Sequence, residues 1–402
     1  MNYKNIKIDE FDYHLPSERI AKFPLKQRDA SKLLIYKNGN ISQTKFFDID
    51  KYLPENSLLI LNNTKVFFAR LIFKKQTGGK IEIFCLNPYQ PADYENAFAS
   101  KGKVQWEVLI GNLKKWKNDT LSLKYIYKSE QRILQVRYIG KHHQNHIVEF
   151  IYDNDITFGE ILEIVGQIPI PPYLKRKPTE NDKNTYQTVY SKIKGSVAAP
   201  TAGLHFTENV FNKLKNRNIS VAELTLHVGA GTFKPVKSEF IAEHLMHTEI
   251  FSISIDTLKK IKNNLGRITA VGTTSLRTLE TLYYIGYKII KNQPDFNFVS
   301  QWEIYQEQIT ISPLEALQAI ENFMLKQKLN HFDGKTQIMI VPGYKFKITD
   351  ILITNFHQPK STLLLLVAAF IGDDWKKVYD YALKNDFRFL SYGDSSILFR
   401  RV

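Results

Sequence analysis

The sequence predicts an open, mixed-sheet α/β domain that is interrupted by a small antiparallel β-barrel domain. Short apolar strands, polar loops and helices alternate in the two outer parts of the chain, which is typical of an open α/β sheet. The middle part is a succession of short strands, and residues 65–141 carry 15 Lys or Arg but only six Asp or Glu. We therefore expect a discontinuous α/β domain, residues 1–64 and 152–402, around an inserted basic barrel domain, residues 65–151.

The predicted barrel strands show partial alternation of apolar and polar residues, with turn signals such as Gly78-Gly79 between them. They are expected at residues 80–86, 104–110, 120–127, 132–138 and 146–151. The aromatic residues of this segment either stack on nucleic-acid bases or fill the barrel core, and the sequence leaves both alternatives open. These residues are Trp106, Trp116, Tyr125 and Tyr127.

Outside the barrel, strands are predicted at residues 58–61, 220–227, 267–272 and 351–354. Thr207 and Ser361 are expected to cap helices. Ligands of open α/β sheets bind at the carboxyl ends of the strands. Because His227, Thr273 and His357 fall at such ends, we expect them to converge although they are far apart in sequence.

Residues 291–335 have the character of an insertion. They contain Ser312-Pro-Leu-Glu315, which has the form of a capping box with Pro at the first helical position. Apolar residues then recur at helical spacing, as Leu314, Leu317, Ile320 and Met324. We expect one amphipathic helix that packs on the sheet and carries no chemistry.

The net charge of +15 favours a polyanionic partner, usually nucleic acid, although a generally Lys-rich proteome is the alternative. Cys85 is the single cysteine, so no intramolecular disulfide can form, which fits a reducing cytosol. The N-terminus lacks the apolar stretch of a signal peptide, and the longest apolar run, residues 363–371, is well short of the roughly 20 residues of a membrane helix. We expect a cytoplasmic protein with no membrane contact.

Two glycine-rich segments, residues 195–206 and 224–235, each place a histidine beside small residues. Glycine lets the main chain approach a ligand closely, and imidazole suits proton transfer near neutral pH. His205 and His227 are therefore candidate catalytic residues. The alternative is that each is a core histidine with a backbone hydrogen-bond partner.

The motifs do not support a nicotinamide or nucleoside triphosphate cofactor. The third glycine of a dinucleotide fingerprint is missing, since position 234 is Lys, and no Walker A sequence occurs. His244 and His247 can share a helix face, but a third ligand at zinc spacing is missing, so no metal is expected. His142 and His143 are expected in an exposed hairpin.

Polar groups elsewhere suggest contacts with anions. The segment from Gly272 to Arg277 follows a strand and opens a helix, so its N–H groups and hydroxyls can hold a carboxylate. The alternative is an ordinary helix start with Arg277 on a solvated face. Arg28 and Arg388 can bind a carboxylate or phosphate, or can pair with a local Asp.

Together these segments resemble one family, the S-adenosylmethionine:tRNA ribosyltransferase-isomerases of queuosine synthesis. The resemblance spans nearly the whole chain. The blocks that carry it include Arg28-Asp-Ala-Ser-Lys-Leu-Leu34, Leu61-Asn-Asn-Thr-Lys-Val66, Ile168-Pro-Ile-Pro-Pro-Tyr173, Ala198-Ala-Pro-Thr-Ala-Gly-Leu-His-Phe-Thr-Glu208, Leu226-His-Val-Gly-Ala-Gly-Thr-Phe233, Ala270-Val-Gly-Thr-Thr-Ser275, Thr354-Asn-Phe-His357 and Ser391-Tyr-Gly-Asp394. Two features depart from the family pattern: residues 291–335 are longer than expected, and residues 334–340 lack the expected acidic and aromatic pattern.

The resemblance implies transfer and isomerisation of the ribosyl part of S-adenosylmethionine onto 7-aminomethyl-7-deazaguanine in tRNA with a GUN anticodon. The products would be epoxyqueuosine in tRNA, adenine and methionine. S-adenosylmethionine is then a co-substrate, and no metal or other cofactor is expected. The rival interpretations are an ordinary methyltransferase and a non-catalytic RNA-binding protein. We expect a monomer, with the α/β domain as the catalytic one.

On this interpretation His227 is the base and His205 the acid or the group that positions the amine, although the two roles can be reversed. The residues expected to bind S-adenosylmethionine or substrate are Pro200, Thr201, Gly203, Gly229, Gly231, Thr232, Thr273, Thr274, Asn355 and His357. Those expected to contact tRNA or phosphate are Arg28, Lys65, Arg70 and Arg388.

Overall fold

The computed structural model describes residues 3–75, 78–116, 119–229, 236, 238–306 and 309–401 of the 402-residue chain. In chain order its strands are β1 (Lys32–Lys37), β2 (Asn40–Lys45), β3 (Leu58–Asn62), β4 (Thr64–Val66), β5 (Arg70–Lys74), β6 (Lys80–Gln90), β7 (Lys103–Gly111), β8 (Leu121–Tyr127), β9 (Glu130–His142), β10 (Asn145–Ile151), β11 (Ile193–Ser196), β12 (Ser220–Leu226), β13 (Glu249–Ser254), β14 (Ile268–Val271), β15 (Phe298–Val299), β16 (His331–Thr336), β17 (Ile351–Asn355) and β18 (Ser395–Phe399).

The helices lie between these strands. They are α1 (Tyr94–Ala99), α2 (Phe158–Val165), α3 (Asp182–Thr185), α4 (Glu208–Asn216), α5 (Ile255–Asn263), α6 (Thr273–Ile290), α7 (Pro313–Lys326), α8 (Thr362–Ile371) and α9 (Asp374–Lys384). Of the helices in the described ranges, none is long and apolar enough to cross a membrane.

Within the described residues, ten strands form one mixed sheet in the order β15-β16-β13-β12-β3-β14-β17-β18-β1-β2. Strands β12, β3, β14 and β17 run parallel to their neighbours in this group. Strands β3, β14 and β17 are buried along their whole length, as expected for parallel strands that are covered on both faces. Their carboxyl ends meet at one edge of the sheet, and this edge positions the site described below.

The barrel is the second structural unit. In the described part of the chain, its strands close in the order β10-β7-β6-β5-β8-β9, and adjacent strands are antiparallel. The predicted fold class is therefore confirmed, and all the barrel strands fall within the segment predicted to be inserted. Trp106, Trp116 and Tyr125 are buried in the barrel core, so the alternative that they stack on bases is wrong for these three residues.

The predicted helix starts agree with the structure. Thr207 and Ser361 accept backbone N–H groups at the starts of α4 and α8. Ser312 and Glu315 form the predicted capping box of α7. In contrast, α6 begins after Gly272, which has no side chain to cap it and adopts a φ of +88° that favours glycine.

Residues 291–335 form more than the single helix that was predicted. Helix α7 is present and packs on α6, but the segment also supplies the edge strands β15 and β16. Strand β16 alternates exposed and buried residues, and its period of two is short and interrupted by Gly334. That weak signal explains why the sequence pattern did not predict the strand.

Candidate active site

A cleft lies at the carboxyl ends of β14 and β17, where Thr273 and His357 converge as predicted, whereas His227 lines a different cavity. The structure brings many of the predicted binding residues together on the walls of the cleft. They are Pro200, Thr201, Thr273, Thr274, Asn355 and His357. Gly203, which follows Pro200 and Thr201 closely in the chain, does not line the cleft. It is buried against Tyr190 and Thr188.

The cleft is fixed by a chain of side-chain hydrogen bonds. Thr201 Oγ1 donates to Asn355 Oδ1 at 2.9 Å, and Asn355 Nδ2 lies 3.3 Å from His205 Nε2. His205 Nδ1 is 2.8 Å from Ser31 Oγ, so both ring nitrogens of His205 are engaged. Burial, and to a smaller degree the charge of Arg388, lowers the pKa of His205 to about 3. His205 is therefore a neutral imidazole, and its hydrogen bond with Asn355 helps to hold that amide in place.

His205 itself borders a different, smaller cavity. That cavity is lined also by Arg28 and Arg388, and it shares Ser391 with the cleft. His205 and His227, which sequence reasoning had grouped as a catalytic pair, thus line different cavities.

His357 lies on the cleft wall but is held by its surroundings. Its Nε2 is 2.9 Å from Thr354 Oγ1, and its backbone N–H donates to the hydroxyl of Tyr379 at 3.0 Å. Burial lowers the pKa of His357 to about 3, so the ring is neutral at physiological pH. His357 therefore contributes a fixed, uncharged polar surface to the cleft.

A second cavity adjoins the cleft at the N-terminus of α6. Thr273, Thr274 and Leu363 line both spaces. Arg277 and Glu249 face this cavity and form a buried ion pair, with Arg277 Nη1 2.6 Å from Glu249 Oε2. The alternative that Arg277 lies on a solvated face is therefore wrong, because α6 turns this residue toward the sheet.

A third and much larger cavity, of about 680 Å³, lies between the barrel and the sheet. Gly229 and His247 line both this cavity and the second one, so the three spaces adjoin one another, and together they are called the groove. On the barrel side, Glu107 accepts hydrogen bonds from Asn87 at 2.9 Å and Asn145 at 3.0 Å. Burial alone would raise the pKa of Glu107, but these bonds and His142 at 3.4 Å outweigh it and lower the pKa. Glu107 is thus an ionised carboxylate at the cavity wall.

His227 follows β12 directly and lines the third cavity. Its ring stacks on Tyr94 of α1, with ring centroids 4.4 Å apart and planes inclined by 27°. The ring also packs closely against Gly195. A Cβ atom at that position would lie 2.2 Å from His227 Nδ1, so only glycine fits there. Burial lowers the pKa of His227 to about 4. Its Nδ1 is buried without a hydrogen-bond partner of normal geometry among the described residues, unlike both nitrogens of His205.

The residues predicted to contact tRNA or phosphate are mostly engaged within the protein. Arg28 donates to the carbonyl oxygens of Gln187 at 2.7 Å and Asn184 at 2.9 Å, not to its local Asp. Arg388 lines the same small cavity as Arg28 and lies 3.6 Å from Asp394, whereas Arg70 pairs with Glu82 and Lys65 is half-buried on β4. Their role toward tRNA stays a prediction.

Two predicted site residues, Gly231 and Thr232, lie outside the described residues. His244 and His247 do not share a helix face as expected, because the short 3-10 helix Ile241–Glu243 ends before them. His142 and His143 lie where β9 turns into β10, as predicted for a hairpin, and both also line the third cavity.

Sequence reasoning missed Glu107, Tyr94 and Glu249 as groove residues. Glu107 occupies a polar position of an alternating strand, which is indistinguishable from a solvated one without the fold. Tyr94 lies in a helix between β6 and β7 that gave no signal of its own. A buried position for Glu249 becomes apparent only when its partner Arg277 is known.

The protein is thus an α/β domain with an inserted barrel, and the groove runs along the sheet edge and between these two units. A family model described as queuosine biosynthesis protein matches residues 8–398. A relative from Sulfurihydrogenibium sp., named S-adenosylmethionine:tRNA ribosyltransferase-isomerase, is 40% identical over 400 residues, which cover 98% of this chain and 100% of the relative. A crystal structure of S-adenosylmethionine tRNA ribosyltransferase from Thermotoga maritima is 28% identical and covers 97% of this chain and 99% of its own, with a TM-score of 0.45.

The chain belongs to the queuosine biosynthesis protein family. It is a transferase of the ribosyltransferase-isomerase class. The resemblance inferred from the sequence blocks is thereby confirmed.

Proposed function

We propose that this enzyme transfers the ribosyl part of S-adenosylmethionine to 7-aminomethyl-7-deazaguanine at the wobble position of tRNA with a GUN anticodon, and isomerises it. The products are epoxyqueuosine in tRNA, adenine and methionine. Family membership supports the reaction type. The observation that carries the proposal is the groove, in which a cleft at the sheet edge, the second cavity and a large cavity beside the basic barrel adjoin one another.

S-adenosylmethionine binds in the cleft and the adjoining second cavity. The hydroxyls of Thr201 and Thr273 and the amide of Asn355 offer polar contacts there. Asn355 is held by His205 and Thr201, so its amide is oriented before the co-substrate binds. His205 is accordingly a positioning residue in this proposal and not the general acid.

His227 is the base. The sulfonium of S-adenosylmethionine acidifies the neighbouring ribose carbon, and removal of that proton requires a neutral group. With a pKa near 4, His227 is unprotonated at neutral pH. Once it has accepted the proton, the imidazolium is a strong acid for a histidine, so it can pass the proton to departing adenine. In this proposal His227 both removes the ribose proton and protonates adenine. The prediction from the sequence had assigned these two roles to two histidines, His227 and His205.

The acceptor base enters the third cavity. This space is large enough for a nucleobase that has been turned out of the anticodon loop, and it borders His227. A guanine-type base presents N–H donors along its pairing edge, and the ionised carboxylate of Glu107 is a matching acceptor. The excess of Lys and Arg on the barrel favours contact with the surrounding phosphates. The proposal keeps the prediction of a monomer that uses no metal.

The products of a single incubation test this function. The protein is mixed with labelled S-adenosylmethionine and tRNA that carries the 7-aminomethyl-7-deazaguanine, and the small products are identified. We expect adenine and methionine in equal amounts. Release of S-adenosylhomocysteine would instead identify a methyltransferase. Salt-dependent tRNA binding without consumption of S-adenosylmethionine would identify a non-catalytic RNA-binding protein.

A further inference from the structure

The second cavity of the groove contains a guanidinium with one unused donor. Arg277 and Glu249 are 7% and 5% exposed, and Arg277 Nη1 pairs with Glu249 Oε2. Arg277 Nε donates to the carbonyl oxygen of Ile338 at 3.2 Å. In contrast, the buried Nη2 atom has no hydrogen-bond partner among the described residues. An unsatisfied buried donor of a charged group destabilises a protein, so this atom marks a place where a ligand can supply the acceptor.

The N-terminus of α6 faces the same cavity. This helix has 18 residues, and its N-cap Gly272 offers no side chain to the first N–H groups. The hydroxyls of Thr274 and Ser275 are also buried without a partner in the described structure. Thr273 and Thr274 both line the cavity. A long uncapped helix start with free hydroxyls favours an anion, and the unused donor of Arg277 is a second, independent indication of one.

The cavity also carries an anionic group. Glu249 pairs with Arg277 through Oε2, and its carboxylate lines the cavity wall. His244 adds no positive charge at neutral pH, because burial, and then the nearby His247, lowers its pKa. The cavity therefore offers donors for an anion and an acceptor for a cation within one small space.

We infer that the second cavity binds the zwitterionic head group of an α-amino acid. The carboxylate accepts from the α6 N-terminus, the hydroxyl of Thr274 and Nη2 of Arg277, and the ammonium donates to Glu249. This inference rests on the proposed function, since the ligand is the methionine end of S-adenosylmethionine. The adenosyl part then lies in the cleft, and the sulfonium lies near the wall that Thr273, Thr274 and Leu363 share between the two spaces.

Binding measurements without tRNA separate this inference from the catalytic proposal. Isothermal titration calorimetry compares S-adenosylmethionine with 5′-deoxy-5′-dimethylsulfonioadenosine, which keeps the adenosine and the sulfonium but lacks the amino acid. We expect the wild-type protein to bind S-adenosylmethionine at least about tenfold more tightly, since each hydrogen bond to a charged group contributes substantially to binding. The variant Thr274→Val should reduce this ratio several-fold.

Arg277→Gln should abolish the preference, and circular dichroism checks that it folds, because this change leaves Glu249 without its partner. Thr274→Val keeps the ion pair and tests the subsite if Arg277→Gln does not fold. Thr278→Val is the matched control, since Thr278 lies one turn further along α6, donates to the carbonyl of Thr274 and lines none of the three cavities. Equal affinity of the wild type for the two compounds, or an unchanged preference in Thr274→Val, would overturn the subsite. Release of adenine by the wild type is measured separately and decides the catalytic proposal by itself.

Discussion

The imidazole of His227 stacks on the phenol ring of Tyr94, with a centroid separation of 4.4 Å. His227 follows a strand of the sheet, and Tyr94 begins the helix that the barrel inserts between β6 and β7. The proposed base is therefore oriented by a contact between the two structural units. In the proposed function, the barrel therefore contributes to the site through this contact.

Tyr94→Ala should slow adenine release by about tenfold or more, because it removes the ring that holds His227 in place, and a small misplacement of a catalytic group is costly. Tyr94→Phe should retain most of the activity, since it keeps the ring and loses only the hydroxyl contacts with Leu86 and Asn87. Initial rates at saturating substrates measure both. Equal rates for the two variants would contradict an orienting role for the ring.

Glu107→Gln should raise the KM for the tRNA by about tenfold and leave the affinity for S-adenosylmethionine unchanged. The change removes a charged acceptor from the third cavity and keeps the shape of the side chain. Glu130→Gln is the matched control, because Glu130 is an exposed barrel carboxylate paired with Arg132. If Glu107→Gln altered the KM no more than the control does, the acceptor base would not be recognised by Glu107.

The fold and the cleft could be predicted from sequence because their signals are local. Buried strands such as Leu58–Asn62 and helix caps such as Ser361 can be predicted from a few consecutive residues. The carboxyl-end rule then indicated the convergence of Thr273 and His357. The placement of His205 and His227 in different cavities could not be predicted, since each ring is positioned by residues distant in sequence, Asn355 for His205 and Tyr94 for His227.

The third cavity could not be predicted from the sequence either, because its walls come from distant parts of the chain. It exists only where the barrel meets the sheet, and its walls come from Glu107, His227 and Lys335, which belong to distant parts of the chain. The insertion was assigned no chemistry, yet its strands β15 and β16 contribute Phe298 and Lys335 to this wall.

The stability of the protein should fall as the pH is lowered below about 6.5. His205 and His357 remain neutral in the folded chain down to about pH 3, whereas the unfolded histidines bind protons below about 6.5. The unfolded state therefore holds more protons in this window, and each histidine contributes a slope of about 1.4 kcal/mol per pH unit to the free energy of unfolding. Above about 6.5 this contribution is fully present and constant.

Urea denaturation between pH 5 and 7.5 measures that slope. His357→Gln should lower the slope by about 1.4 kcal/mol per pH unit, whatever its effect on absolute stability. His331→Gln, a change at an exposed position of β16, is the control. A slope in His357→Gln that matches the wild type would show that His357 titrates normally in the folded chain.

The low pKa of His227 can be observed directly by NMR. With ¹³C-labelled histidine, and His227→Gln to assign the resonance, the His227 signal should not move between pH 8 and 5.5. The folded pKa near 4 keeps the ring neutral throughout this range. A titration midpoint between 6 and 7 would mean that burial does not set its protonation state.

The rate of adenine release by His227→Ala tests the central claim most directly. At saturating S-adenosylmethionine and modified tRNA, we expect the rate to fall by about 10²–10⁴-fold, the usual contribution of general acid–base catalysis. His331→Ala should match the wild type, and His205→Ala should reduce the rate by less than His227→Ala, because it disturbs only the support of Asn355. A near-wild-type rate for His227→Ala would contradict the assignment of His227 as the base.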